Sequence, residues 1–200
     1  MKNLTVHIVS LGCPKNQVDA EVMAAILVGQ GFQITPEPQA AELILVNTCA
    51  FILPAKEESI DEILRMARYK KTGALKHLVV TGCLPQRYGK ALEKDIPEAD
   101  LFLGMAEVPN IIYHINYLTS SSPMRCRLVV NKPDFLMNAD HPRLLSPSTA
   151  TAYLKIAEGC SNRCTYCIIP AIRGNARSRH SDDILREAAW LAEKGLKRSF

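Results

Sequence analysis

The sequence predicts an α/β protein whose first part is a doubly wound parallel sheet, and three observations lead there. Short, almost wholly apolar runs at residues 4–10, 43–47 and 77–81 alternate with longer amphipathic segments. Strands buried on both faces read this way, with crossover helices between them. Each of those three runs is followed by a cysteine, in Ser10-Leu11-Gly12-Cys13, Val46-Asn47-Thr48-Cys49 and Val80-Thr81-Gly82-Cys83. Finally, 48% of the 200 residues are hydrophobic and 22% charged, which is enough apolar material for an ordinary globular core.

In order along the chain, residues 4–10 read as a buried strand. Asn16 is placed to cap a helix running to about Gln30, with Asp19 and Glu21 in its first turn and Gly31 ending it. A short strand follows at 32–35, then the strand at 43–47. Residues 55–71 read as a helix with Ile60, Ile63, Leu64 and Ala67 on one face. The strand at 77–81 leads to a helix over about 85–95, a short strand at 101–103 and a last helix at 108–118. This succession predicts a flavodoxin-like domain over residues 1–120. Thr119-Ser120-Ser121-Ser122-Pro123 has linker composition. Residues 121–150 are therefore expected to be a connector with little core of its own, apart from one possible strand at 127–130. A further strand is expected at 153–157, a loop over 158–172, and a helix capped by Ser181 or Asp182 and running to Lys194. Residues 196–200 approach another strand. This is the opening βα unit of a barrel-like sheet over 151–200. A complete barrel of this kind takes about 200 residues, so it is expected to be truncated here.

Carboxyl ends of parallel strands share one edge of a doubly wound sheet, where ligands bind. Cys13, Cys49 and Cys83 lie 36 and 34 residues apart, yet that edge could bring them together. Gly12 and Gly82 would let backbone approach a bulky group closely. A second set stands in Glu158-Gly159-Cys160-Ser161-Asn162-Arg163-Cys164-Thr165-Tyr166-Cys167, with spacing C-x3-C-x2-C. Three thiolates do not complete a structural zinc site, which takes four ligands. An iron–sulfur cubane accepts closely spaced cysteines, and three of them leave one iron open for a substrate or cofactor. Arg163, Arg173, Arg177 and Arg179 surround this loop, as anion ligands or as a solvated basic face. Cys126 fits neither triplet, and the five histidines show no ligand spacing.

The formal net charge of +4 permits an acidic or nucleic-acid partner without requiring one. Seven cysteines with no signal-like leader argue against a secreted disulfide framework. The expected location is cytoplasmic, where thiols stay reduced, and no membrane partner is expected.

The C-x3-C-x2-C loop, with Tyr166 just before its last cysteine, resembles the signature of radical S-adenosylmethionine (SAM) enzymes. The chain as a whole resembles the methylthiotransferases, which join an N-terminal three-cysteine domain to a radical SAM barrel. Ser10-Leu11-Gly12-Cys13-Pro14-Lys15-Asn16, Val46-Asn47-Thr48-Cys49-Ala50-Phe51-Ile52 and Ile168-Ile169-Pro170-Ala171-Ile172-Arg173-Gly174 look like the branch that modifies a ribosomal protein. The tRNA-modifying branch typically has Gly-Cys-Gln-Met-Asn where this chain has Gly12-Cys13-Pro14-Lys15-Asn16.

The resemblance implies two 4Fe–4S clusters and SAM as cofactors. Cys160, Cys164 and Cys167 would hold the cluster that reduces SAM, with Tyr166 near the adenine. Arg173 and Arg177, from their place beside the loop, are further cofactor-binding candidates or hold a structural or substrate-positioning role. Cys13, Cys49 and Cys83 would hold the second cluster and the sulfur to be transferred. The implied reaction adds a methylthio group to the β-carbon of an aspartate in small-subunit ribosomal protein twelve. That C–H bond offers no acidic proton, so a radical supplied by the cofactor must break it. The implied partners are that protein or the ribosome, an electron donor and a sulfur donor. Two alternatives stay open at this point: a tRNA adenosine methylthiotransferase, and a non-enzymatic iron–sulfur redox protein. The 200 residues alone are expected not to turn over, since most of a SAM-enclosing barrel is missing from them.

Overall fold

The computed structural model describes residues 4–120, 126–145, 151–195 and 198–199. Strand β1 (Thr5–Ser10) is followed by helix α1 (Pro14–Gly29) and the short strand β2 (Gln33–Ile34). Then come β3 (Leu43–Thr48), α2 (Leu53–Ala67), α3 (Tyr69–Thr72) and β4 (His77–Gly82). Helix α4 (Cys83–Asp95), β5 (Leu101–Leu103), α5 (Ile111–Thr119) and β6 (Leu128–Val129) complete the first unit.

All six strands are parallel, in the order β2-β1-β3-β4-β5-β6. The first five follow the flavodoxin-like order, with the strand order reversing between β1 and β3. Alternate strand residues serve opposite faces. Leu43, Leu45, Val79 and Leu101 pack with Val22, Met23 and Leu27 of α1 and with Ile111 and Ile115 of α5. Ile44, Val46, Leu78, Val80 and Phe102 pack with Ile63 and Met66 of α2 and with Leu84 and Leu92 of α4. Burying each such side chain contributes about 1.5–3 kcal/mol, which holds both helix layers on the sheet.

Several local expectations are corrected. Asn16 does not cap α1: Pro14 takes the first turn, where its missing N–H costs nothing, and Cys13 is the N-cap in extended conformation. Asn16 is instead buried within the first turn of the helix, and Asp19 and Glu21 lie beyond it. In α2 the buried face is Ser59, Ile63, Met66 and Ala67, whereas Ile60 and Leu64 are more than one-third exposed. Helix α4 begins at Cys83 itself and bends at Tyr88, where the backbone leaves helical geometry. His180, not Ser181 or Asp182, is the N-cap of the last helix.

The possible strand at 127–130 is present as β6, which extends the sheet beyond β5. The connector has more core than expected, since Met137 is buried in the α1/α5 core. Arg143 bonds Glu21 of α1 through Nη2 at 2.5 Å and Glu187 through Nη1 at 2.5 Å. The rest of the expected linker, residues 121–125 and 146–150, lies outside the described residues.

Residues 153–157 do not form one strand. Two short strands bracket them, β7 (Thr151–Ala152) and β8 (Ala157–Glu158). Arginines hold the carbonyls in between: Tyr153 O accepts from Arg143 Nη1 at 2.9 Å, and Lys155 O from Arg179 Nη1 at 2.7 Å. Helix α6 (Ile169–Arg173) replaces the last part of the expected loop. Strand β9 (Arg177–Ser178) pairs antiparallel with β8, making the whole cysteine loop the connection of a hairpin. After α7 (Ser181–Glu193), β10 (Arg198–Ser199) pairs parallel with β7, as a βαβ unit requires. Residues 196–197 and 200 of the expected last strand lie outside the described residues.

Candidate functional site: two cysteine triplets and the charges between them

Cys13, Cys49 and Cys83 follow three neighbouring strands, β1, β3 and β4. Neighbouring strands run about 4.8 Å apart, so three cysteines separated by dozens of residues leave the sheet side by side. Cys13 and Cys49 flank the point where the strand order reverses. Cys13 is exposed, and Cys49 and Cys83 are buried.

The backbone is drawn tightly around these thiols. A Cβ on Gly12 would lie 2.5 Å from Cys49 Cβ and 2.8 Å from its Sγ. A Cβ on Gly82 would lie 2.6 Å from Thr48 O. Both glycines have positive φ, 89° and 97°, which L side chains rarely adopt.

Polar side chains lock these turns: Asn16, expected only as a helix cap, and Asn47 and Thr48, with no expected role of their own. Asn16 Nδ2 donates to Leu11 O and to Thr48 O, both at 2.9 Å, joining the turns that carry Cys13 and Cys49. Asn47 Nδ2 donates to Asn16 O at 2.7 Å, and Thr48 Oγ1 donates to Thr81 O at 2.6 Å. The signal was present: Ser10, Asn47 and Thr81 are polar residues in register at the ends of otherwise apolar strands.

The second triplet sits on the hairpin connection. Gly159, with φ of 75°, turns the chain at its base, and Cys160 N–H donates to Gly174 O at 3.0 Å. Ser161 Oγ accepts from Ala176 N–H at 3.0 Å. Cys160 and Cys167 are partly exposed, Cys164 is exposed, and Tyr166 is 87% exposed. Among the described residues, no group of three His, Cys, Asp or Glu side chains closes on a single metal ion. A cubane differs from a single ion in presenting its irons at separate corners, so its thiolates need only ring a common space. At the strand-end triplet three strand ends lie side by side, with glycines where side chains would intrude and cations at the margin.

Two of those cations, Lys155 and Arg173, come from the segment that carries the second triplet, and Lys15 comes from α1. Arg173 is buried, its Nη1 3.0 Å from both Glu158 carboxylate oxygens and 3.7 Å from Asp19 Oδ2. Its Nη2 donates to Asn16 Oδ1 at 2.5 Å and reaches Cys83 Sγ at 3.6 Å. Lys155 Nζ lies 2.6 Å from Asp19 and 2.5 Å from Glu158. Lys15 Nζ donates to Ala157 O at 2.5 Å and lies 3.4 Å from Glu158.

Burial alone would raise the Glu158 carboxyl, but Lys155 and Arg173 overcome it and hold the group down at about 2. Burial would lower the Lys155 ammonium, and Asp19 and Glu158 raise it instead. Burial pushes the Cys83 thiol up to about 11, against the pull of Arg173. A metal binding there would therefore displace a proton.

Arg177 Nη2 donates to Arg173 O at 2.9 Å, while its Nε and Asp19 Oδ2 are buried without hydrogen-bond partners among the described residues. Both residues line a cavity of about 10 Å³, room for roughly one water. Arg179 is buried against Asp183 and Glu187, so neither it nor Arg173 belongs to a solvated basic face. Arg163 is exposed. Cys126 is an exposed thiol donating to Leu128 O at 2.9 Å.

Fold and site together define a parallel α/β domain whose carboxyl edge gathers thiols, docked through buried ion pairs onto a second cysteine-bearing unit. The chain belongs to the uncharacterized protein family UPF0004, whose model matches residues 5–104. Over nearly its whole length it is also similar to proteins named ribosomal protein uS12 methylthiotransferase RimO. Identity is 59% over 198 residues with the protein from Syntrophus aciditrophicus, covering 98% of this chain and 44% of that one. It is 49% over 196 residues with that of Myxococcus xanthus, covering 96% and 40%. With the Clostridioides difficile protein it is 48% over 194 residues, covering 97% and 43%. The chain thus spans about two-fifths of the length of these relatives. The resemblance to methylthiotransferases read from the motifs is borne out by these matches. No helix among the described residues is long and apolar enough to cross a membrane.

Proposed function

We propose that this chain carries both cluster-binding sites of a radical SAM methylthiotransferase acting on an aspartate β-carbon of ribosomal protein uS12. One observation carries the reading: three cysteines leave adjacent strands at one sheet edge, and Arg173 from the C-x3-C-x2-C unit reaches into that edge. The relatives' names supply the substrate and the transferred group. Residues 1–120 would form the N-terminal domain, 121–150 the connection and 151–200 the start of the SAM domain.

Cys13, Cys49 and Cys83 would hold one 4Fe–4S cluster, and Cys160, Cys164 and Cys167 the other. The chemistry supplied by the bound groups is one-electron cleavage of SAM and storage of the sulfur to be transferred. The protein's own residues orient and enclose. Tyr166, exposed beside Cys167, is free to flank an adenine. Asn16, Asn47 and Thr48 fix the turns that present the strand-end thiols. The inward bonds of Arg173 and Arg177 suit positioning the loop rather than binding SAM directly.

Iron content after anaerobic reconstitution tests this. The expected result is about eight irons per chain, falling to about four in Cys160→Ala/Cys164→Ala/Cys167→Ala. About four falling to none would leave Cys13, Cys49 and Cys83 as strand-end packing and end the sulfur-insertion reading. We expect the 200-residue chain alone to bind iron without turning over.

A further inference from the structure

The cysteine loop returns to the first domain through α6. Ile172 is 1% exposed and shares a core cluster with Cys83, Leu84 and Met105, and Ile168 packs against the same cluster. This anchoring carries the next residue, Arg173, across the boundary between the two units. There its guanidinium touches three things at once. It meets the Cys83 sulfur, and it meets Asn16, which ties the turns of Cys13 and Cys49 together. It also meets Glu158, two residues ahead of Cys160. The surrounding charges do not cancel. Lys15, Lys155 and Arg173 stand against the carboxylates of Asp19 and Glu158, which leaves an excess cation beside the thiols. An anionic, thiolate-bound group in the strand-end site would balance it.

We propose that Arg173 is a positioning residue for the group held by Cys13, Cys49 and Cys83. It donates to the Cys83 sulfur, holds α6 against the site and raises the reduction potential of whatever cluster is bound there. The proposal rests on the two-cluster reading above. Its physics is general: hydrogen bonds to cluster sulfurs and nearby positive charge favour the reduced, more negative state. A guanidinium is charged at every working pH and can fork between two partners, whereas a lysine keeps the charge and loses the fork.

The test uses the intact protein in the Cys160→Ala/Cys164→Ala/Cys167→Ala background, so that only the strand-end site holds iron. A redox titration followed by electron paramagnetic resonance then compares Arg173 with Arg173→Gln and Arg173→Lys. The expected result is about four irons in each. The midpoint of Arg173→Gln should be lowered enough to change the reduced-to-oxidised ratio at least tenfold, about 59 mV for one electron. Arg173→Lys should fall between. An unchanged midpoint in Arg173→Gln with its iron retained overturns the proposal. If Arg173→Gln loses its iron, Arg173→Lys decides in the same way. Loss from both in a chain that stays folded also overturns the proposal, which expects the cluster to be held without the guanidinium. No iron in the Arg173-containing background would instead overturn the second cluster itself.

Discussion

At Gly82 the backbone has a φ of 97°, and any side chain there would press on the carbonyl and amide of Thr48. Backbone atoms cannot rotate away as a flexible side chain can. Gly82→Ala is therefore expected to cost at least about 2 kcal/mol, from left-handed strain and from displacement of the Cys49 turn. Gly29 is the contrasting case: it ends α1 with nothing within 4 Å of an added Cβ. Gly29→Ala should be neutral or stabilising by up to about 1 kcal/mol. Urea midpoints of the two variants check both statements, and equal midpoints would refute the close-approach argument. Both glycines are visible in the sequence, but only the neighbour that each one meets separates them.

Among the elements, α7 shows how a short segment is held on a domain to which it contributes no sheet strand. Its Glu187 is buried and accepts from Arg143 of the connector and Arg179 of the hairpin, while Arg143 also holds Glu21 of α1. Glu187→Ala would leave two buried guanidinium groups short of a carboxylate, at a cost of about 3–5 kcal/mol. Amide exchange in α7 and in residues 151–158 should quicken accordingly. Leu185 on the same helix is 65% exposed, and Leu185→Ala should change stability by less than about 0.5 kcal/mol. Equal exchange in the two variants would mean that apolar packing, not the ion network, docks the helix. Cap signals located α7 within a residue or so, but they could not register this network. Its members are spread over residues 21, 143, 179 and 187 and have no common spacing.

For the whole molecule, the buried charges between the two units make stability depend on acid. The Glu158 carboxyl titrates at about 2 instead of its ordinary 4.5, because Lys155 and Arg173 overcome the effect of burial. Its contribution, on the order of 3 kcal/mol, is complete above the ordinary value and is lost as pH falls through the folded one. Glu158→Gln should thus be markedly less stable than the parent at pH 7, and the gap should narrow between about pH 4.5 and pH 2. Parallel stability profiles across that range would show that Glu158 does not join the units.

What the sequence determined by itself is the material of the fold and of both sites. Apolar runs at 43–47 and 77–81 read as strands buried on both faces, and the cysteines that follow them come to the sheet's carboxyl edge by topology. The spacing of Cys160, Cys164 and Cys167 was equally legible, because it is local. The tertiary structure decided the partners. Arg173 stands 90 residues from Cys83 and 157 from Asn16, and nothing in its flanking residues marks it as meeting either. A buried ion pair is settled by which surfaces the helices and sheet bring together and by the exclusion of water between them. No period in the chain encodes that.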